Sequence, residues 1–185
     1  MVIMIIAVLF SVTLPRMSGT FGMARIKTAA RDLTGMLRYA RNTSVLRELP
    51  CEVRFDLEEG RYQLVLLDEK GDIYEEKRSS HRGRRRIGKE TVSVVSDDVA
   101  GVRHLPKRVN FSVIYTDAPL TDDTNRPRVI YYPDGSATPA TIAIQDEKKH
   151  AISVEVFRTT GMARVSKGLP VKEPKAKTRY MGPEK

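Results

Sequence analysis

The first fourteen residues, Met1 to Leu14, carry no charged side chain, and the first charge in the chain is Arg16. A helix built from them is apolar all round, because Val2, Ile3, Ile5, Ile6, Val8, Leu9, Phe10 and Leu14 fall on every side of it. Such a helix needs cover from lipid, from neighbouring helices or from a core. A signal peptide begins with a basic residue and ends in a small-residue cleavage site. No basic residue precedes this run, and Pro15-Arg16-Met17 is a poor cleavage site. A buried core helix is the plain alternative. The reading preferred is a membrane helix whose first turns precede Met1, since a full crossing takes about twenty apolar residues.

The next stretch of chain keeps the helical period but changes its character. Over residues 24–49, Ile26, Ala30, Leu33, Leu37 and Ala40 recur at steps of four, three, four and three. That spacing draws one apolar stripe along a helix, which predicts the face that packs on a globular head. Arg25, Lys27, Arg31, Arg38 and Arg41 supply the polar side, and Pro50 ends the helix. Between Pro15 and Gly22, with Gly19 inside, a long helix is expected to bend or loosen. The two halves together read as one rod of about 70 Å, lipid-facing first and amphipathic after.

Beyond Pro50 the period becomes two. Cys51, Val53, Phe55 and Leu57 alternate with Glu52, Arg54 and Asp56, and residues 61–67 answer them as the second strand of a hairpin. Further strands are expected over 108–115, 128–132, 140–144 and 151–157, with a short closing strand over 162–165. Pro133-Asp134-Gly135-Ser136 and Thr159-Thr160-Gly161 have the composition of tight turns. One long helix followed by a run of strands predicts an α+β fold, the helix packed on an antiparallel sheet. Residues 1–23 are thus assigned to a membrane or filament-core helix, 24–166 to the head with its half of the helix, and 167–185 to a flexible basic tail without apolar periodicity.

Charge and cysteine narrow the chemistry. Lys and Arg outnumber Asp and Glu by 32 to 23, a formal charge of +9 that favours anionic neighbours. Seven cations stand within residues 77–89 without an acid among them, including Arg82, Arg84, Arg85 and Arg86. The single cysteine, Cys51, excludes an intrachain disulfide framework and a cysteine-rich zinc site. His81, His104 and His150 lack the spacing of a helical metal pair. Thr121-Asp-Asp-Thr-Asn125 offers oxygens to calcium but not the spaced pattern of a dedicated loop. Ser136 stands in a turn rather than a nucleophile elbow. No cofactor, metal site or enzyme activity is expected.

With helix and strands in place, the chain resembles the H-type minor pseudopilins of type II secretion systems, the GspH and FimT family of type IV pilin-like proteins. The likeness rests on the rod and its Pro15, on Ala29-Ala-Arg-Asp-Leu-Thr-Gly-Met-Leu-Arg-Tyr-Ala-Arg41, and on Val129-Ile-Tyr-Tyr-Pro-Asp-Gly-Ser-Ala137. Thr141-Ile-Ala-Ile144 and Thr160-Gly-Met-Ala-Arg-Val165 complete it. Pro133, Asp134, Gly135, Ser136, Thr160 and Gly161 correspond to the family's turn motifs. The family's basic leader, its glycine-phenylalanine cleavage junction and its early glutamate have no counterpart here. Aligning Pro15 with the family's proline expects about seven mature residues ahead of Met1, which completes a bilayer-length run.

The resemblance implies a structural subunit, processed and methylated at its N-terminus and held in the bacterial inner membrane by a single pass, with its head in the periplasm. It also implies assembly with other minor and major pseudopilins and secretion-system components near the tip of a short filament that exports proteins. The alternative is a type IV pilus minor pilin that binds DNA during uptake through Arg82, Arg84, Arg85 and Arg86, a salt-dependent phosphate contact. No aromatic residue interleaves with those arginines to stack on bases.

Overall fold

The computed structural model describes residues 18–67, 101–118, 126–170 and 178–182. Helix α1 (Ser18–Arg47) is followed by β1 (Cys51–Asp56), β2 (Arg61–Leu66), β3 (Arg103–His104), β4 (Val109–Thr116) and β5 (Arg128–Tyr131). Then come β6 (Ala140–Asp146), β7 (Ala151–Val156), β8 (Ala163–Lys167) and β9 (Thr178–Met181). This is an α+β head: one helix against antiparallel strands. The strands form two sheets rather than one, a four-stranded sheet ordered β3-β2-β1-β5 and a five-stranded sheet ordered β8-β7-β6-β4-β9.

Helix α1 is continuous from Ser18, so Gly19 and Gly22 lie within it and the loosening expected there does not occur over 18–22. Intrahelical hydrogen bonds outweigh the modest helix penalty of two glycines. Arg47 sits in the last turn, where the carbonyl end of the dipole favours a cation. Glu48 then takes a left-handed φ of 53° and Pro50 comes two residues later, a common way for a helix to stop. Thr28 and Thr34, awkward in a helix for their branched side chains, donate their hydroxyls to the carbonyls of Ala24 and Ala30 at 3.1 and 2.7 Å.

The core lies between the helix and the inner faces of both sheets. Leu33, Met36 and Leu37 from α1 meet Val53, Phe55 and Leu64 from the small sheet and Phe111, Ile142, Ile144 and Val154 from the large one, all within 1% of full burial. An aromatic trio joins the sheets: the Phe111 ring stands edge-on to Phe55 at 5.7 Å and to Tyr62 at 6.4 Å. Tyr131 is also fully buried, and its hydroxyl has no hydrogen-bond partner among the described residues. A buried unpaired hydroxyl costs roughly 1–3 kcal/mol. Tyr131→Phe is therefore expected to raise stability by about 1 kcal/mol, read from the urea midpoint. A loss of stability would show that the hydroxyl is bonded after all.

Two features go beyond what the period shows. Strand alternation puts Glu52 and Asp56 on the face of β1 opposite Val53 and Phe55, and both are buried there, Glu52 to 1% exposure. Alternation reports which face a side chain takes, not what covers that face. Their charges are matched instead: Glu52 pairs with Arg54 and, at 3.5 Å, with Arg128, while Asp56 holds Arg61 at 3.2 Å and Arg126 at 3.4 Å. Burial opposes the charge on Asp56, but the Glu59 amide and the two arginines outweigh it and hold the carboxyl below its ordinary value.

The second concerns the tail. Its sequence predicts flexibility over 167–185, but Lys167 closes β8 and Thr178–Met181 pairs along β4, with Ile114 opposite Tyr180 and Tyr115 opposite Arg179. The Arg179 guanidinium lies over the Tyr115 ring at 5.6 Å. Ser112 sits at the irregularity where β4 slips register against β6, and its carbonyl accepts the Gly182 amide at 2.9 Å. Four residues are too few to show a period. What recruits them is the edge of β4, whose backbone groups need partners.

Candidate functional site: the helix face and two glycine turns

Ile26, Ala30, Leu33, Leu37 and Ala40 are each exposed by 2% or less, and Ala29 and Met36 widen the same buried face. The face packs chiefly on β1 and on β6, β7 and β8, so a single stripe binds both sheets. Val2, Ile3, Ile5, Ile6, Val8, Leu9, Phe10, Leu14 and Pro15 lie outside the described residues, as do Arg82, Arg84, Arg85, Arg86 and residues 121–125.

The two motif turns come together at one end of the head. In the first, the Tyr132 amide donates to the Ser136 carbonyl at 3.0 Å and the Gly135 amide to the Tyr132 carbonyl at 2.9 Å. Asp134 Oδ1 accepts from the Ser136 hydroxyl at 2.6 Å and from its amide at 2.9 Å, a side-chain fastening typical of aspartate in turns. Those bonds hold the Asp134 carboxyl below its ordinary value. Ser136 is thereby a turn fastener, not a nucleophile. In the second turn the Gly161 amide donates to the Phe157 carbonyl at 2.9 Å. Gly135 and Gly161 have φ of +81° and +59°, conformations glycine adopts without steric cost. A Cβ on Gly161 would lie 2.5 Å from the Gly135 carbonyl oxygen, so the turns touch backbone to backbone.

Arg41 locks that contact. Its Nε donates to the Thr160 carbonyl at 2.8 Å and more weakly to the Gly135 carbonyl at 3.3 Å, one from each turn. One turn of helix further on, the Ser44 hydroxyl lies 2.8 Å from the Arg41 carbonyl and 3.1 Å from the Tyr132 carbonyl. Helical spacing alone puts Arg41 with the polar side and does not single out Ser44. The available signal is position: Arg41 comes after Ala40, the last member of the apolar stripe, where a long side chain reaches across the boundary.

At the other end of the head, Asp146 fastens the β6–β7 turn. Its Oδ1 accepts the amides of Lys148 and His150 at 3.0 and 2.8 Å, and its Oδ2 lies 2.9 Å from His150 Nδ1. Burial opposes its charge, but the bonds to His150 and Lys148 outweigh that and lower its pKa. A Cβ on Gly22 would sit 2.9 Å from Oδ2, so the helix passes close over this carboxylate. Gly22 and Arg41 are nineteen residues apart, about 28 Å along the axis.

Burial pushes the Cys51 thiol up to about 12, against a weaker pull from Arg47, so it stays protonated and inert. Among the described residues no group of three His, Cys, Asp or Glu side chains is placed to hold a metal ion. No helix among them is long and apolar enough to cross a membrane. Of the eight exposed large apolar side chains among the described residues, Val45 and Leu46 lie at the end of α1 and Tyr132 and Met162 beside the motif turns, 39–82% exposed, while Val102, Val165, Leu169 and Met181 lie elsewhere.

Comparison with known proteins agrees with this architecture. The head is similar to the minor pseudopilin EpsH from the type 2 secretion system of Vibrio cholerae, at 12% identity and a TM-score of 0.53 over 77% of this chain and 97% of that one. It is likewise similar to Escherichia coli GspH in solution, at 14% identity and a TM-score of 0.52 over 81% and 93% of the two chains. At such identities the likeness concerns the fold. No curated protein matches the sequence. The family model described as type II transport protein GspH matches residues 29–160, from Ala29 on the buried helix face through the first glycine turn and up to Thr160 of the second, and the chain belongs to that family.

Proposed function

We propose that this chain is a structural minor pseudopilin of a type II secretion system: anchored in the inner membrane by its charge-free start, head in the periplasm, and incorporated near the tip of the pseudopilus with other minor and major pseudopilins. The observation that carries the reading is that α1 is already helical at Ser18, eight residues ahead of its first core residue Ile26, and comes directly after the apolar run. An apolar helix of that kind suits both lipid and a filament of packed helices, so storage and assembly use one surface. The exposed side chains beside the motif turns, Tyr132 and Met162 among them, offer neighbouring subunits a contact at the far end of the head.

The test is genetic and biochemical. Removing the chain from its host is expected to stop export of folded proteins across the outer membrane, and crosslinkers at Tyr132 or Met162 are expected to capture other pseudopilins. Intact export with lost DNA uptake would assign the chain to a pilus instead.

A further inference from the structure

Strand β8 ends the large sheet, with β7 on one side of it and no strand among the described residues on the other. We infer that this open edge takes an extended, acidic segment of another protein as an added strand, a contact that does not depend on the membrane anchor.

The ladder to β7 shows which backbone groups are open. The Phe157 amide donates to the Met162 carbonyl at 3.0 Å, and the Gly168 amide to the Ala151 carbonyl at 2.9 Å. Between those two pairs the register runs without a bulge, Arg164 opposite Glu155 and Ser166 opposite Ser153. Bonded pairs alternate along an antiparallel ladder, so Arg164 and Ser166 use their amides and carbonyls on β7. Ala163, Val165 and Lys167 turn theirs outward, away from β7. An added strand can bond all three, and such main-chain bonds supply the affinity of strand addition.

The side chains leave the same edge uncovered. Ala163 and Val165 lie opposite Val156 and Val154, so they share the inner face with two core residues. Ala163 packs on the core, but Val165 is 47% exposed, and Met162 and Leu169, which flank β8, are exposed as well. A strand laid alongside would cover Val165 with an apolar side chain at the facing position.

The remaining edges are closed or short. β9 covers β4, and β3 and β9 are themselves two and four residues long. The outer side of β5 is met by the Thr138 amide on the Ile130 carbonyl at 2.8 Å and by the Thr116 hydroxyl on the Arg128 carbonyl at 2.9 Å.

Charge selects the occupant. Folded proteins blunt an open edge with a bulge, a proline, a cover or charge. β8 has no bulge and no proline, and residues 164–167 are exposed, so charge alone is left. That charge is of one sign: Arg164 and Lys167 are cations, and no acid occurs between Glu155 and Glu173. Arg164 has Glu155 across the ladder and the Phe157 ring beneath it at 5.0 Å, whereas Lys167 faces only Ile152. Two copies of β8 would bring together four cations, two from each, with no carboxylate on either strand. The edge therefore rejects its own kind, while a strand with carboxylates beside Lys167 and Arg164 is attracted.

The experiment follows residue-resolved amide exchange of the full chain in detergent micelles, with the end-blocked peptide Thr-Glu-Thr-Val-Glu-Ala-Thr as probe. Without peptide, the Val165 and Lys167 amides are expected to exchange at least about tenfold faster than those of Arg164 and Ser166. Peptide at about ten times its dissociation constant slows the fast pair by roughly tenfold, so the alternation disappears. Val165→Pro removes one outward donor without touching the ladder to β7, and is expected to abolish the effect while the Gly168 amide stays protected. Arg164→Glu with Lys167→Glu is expected to shift preference by roughly tenfold or more towards a peptide with lysine in place of both glutamates, a swap that a misfolded head would not show. No slowing up to about 1 mM peptide, or slowing that ignores the alternation, overturns the proposal. So does a Val165→Pro chain that binds as the parent does. Equal binding of the acidic and basic peptides by the parent overturns the acidic partner. Protection of Val165 and Lys167 that rises with the chain's own concentration overturns it in favour of a second copy.

Discussion

Gly161→Ala is expected to cost between about 2 and 4 kcal/mol, because a left-handed φ penalises any Cβ and an overfilled contact adds to it. The new methyl would have to share space with the Gly135 carbonyl oxygen at 2.5 Å and with Arg41 Cδ at 3.2 Å. The oxygen belongs to backbone that is already turned as tightly as Asp134 and Ser136 can hold it, so it has little room to retreat. Relief by moving Arg41 would forfeit its bonds to both turns. Gly35 is the control, since nothing lies within 4 Å of a Cβ there. Gly35→Ala, exposed in the middle of α1, is expected to stabilise the helix by up to about 1 kcal/mol. Urea midpoints at unchanged slope decide the matter. Equal effects at the two positions would mean that the turns do not touch.

Leu37→Ala is expected to cost about 3 kcal/mol, within the span found for leucine truncations in packed cores. Leu37 is fully buried in the middle of the stripe that faces both sheets, so neighbours cannot collapse into the gap without parting from one sheet. Against a total stability of about 5–15 kcal/mol, that loss leaves a head that opens often enough for proteases. Leu46→Ala is the counterpart: at 82% exposure it is expected to change stability by less than about 0.5 kcal/mol. Were Leu46→Ala to block assembly while leaving the fold unchanged, the exposed end of α1 would be a subunit contact.

Local chemistry made much of this head readable. A period of three and four residues marks α1, and a period of two with proline and glycine turns marks β1, β2 and β4 to β8. Hence the α+β class emerges from the order of elements alone, and strand bounds differ from expectation by only one or two residues at most ends. What could not be read is what distance in sequence hides. The split into two sheets depends on which strand finds which, and β5 pairs with β1 across more than seventy residues. The two-residue β3 and the four-residue β9 are too short to carry a pattern. Glu52 has the sequence signature of a surface residue until Arg54 and Arg128 are brought beside it. Arg41 is the sharpest case at the candidate site. Its charge suggests solvent, whereas its role is set by two turns more than ninety residues away.

The grip of Arg41 on both turns, added to a helix face buried from Ile26 to Ala40, has a mechanical consequence. A rod seated against both sheets over about 21 Å of its length and tied at one end to two turns can neither roll nor pivot beneath its load. Any thrust or torque arriving along that seated length of α1 is therefore delivered to both sheets without slack, as through a splined shaft.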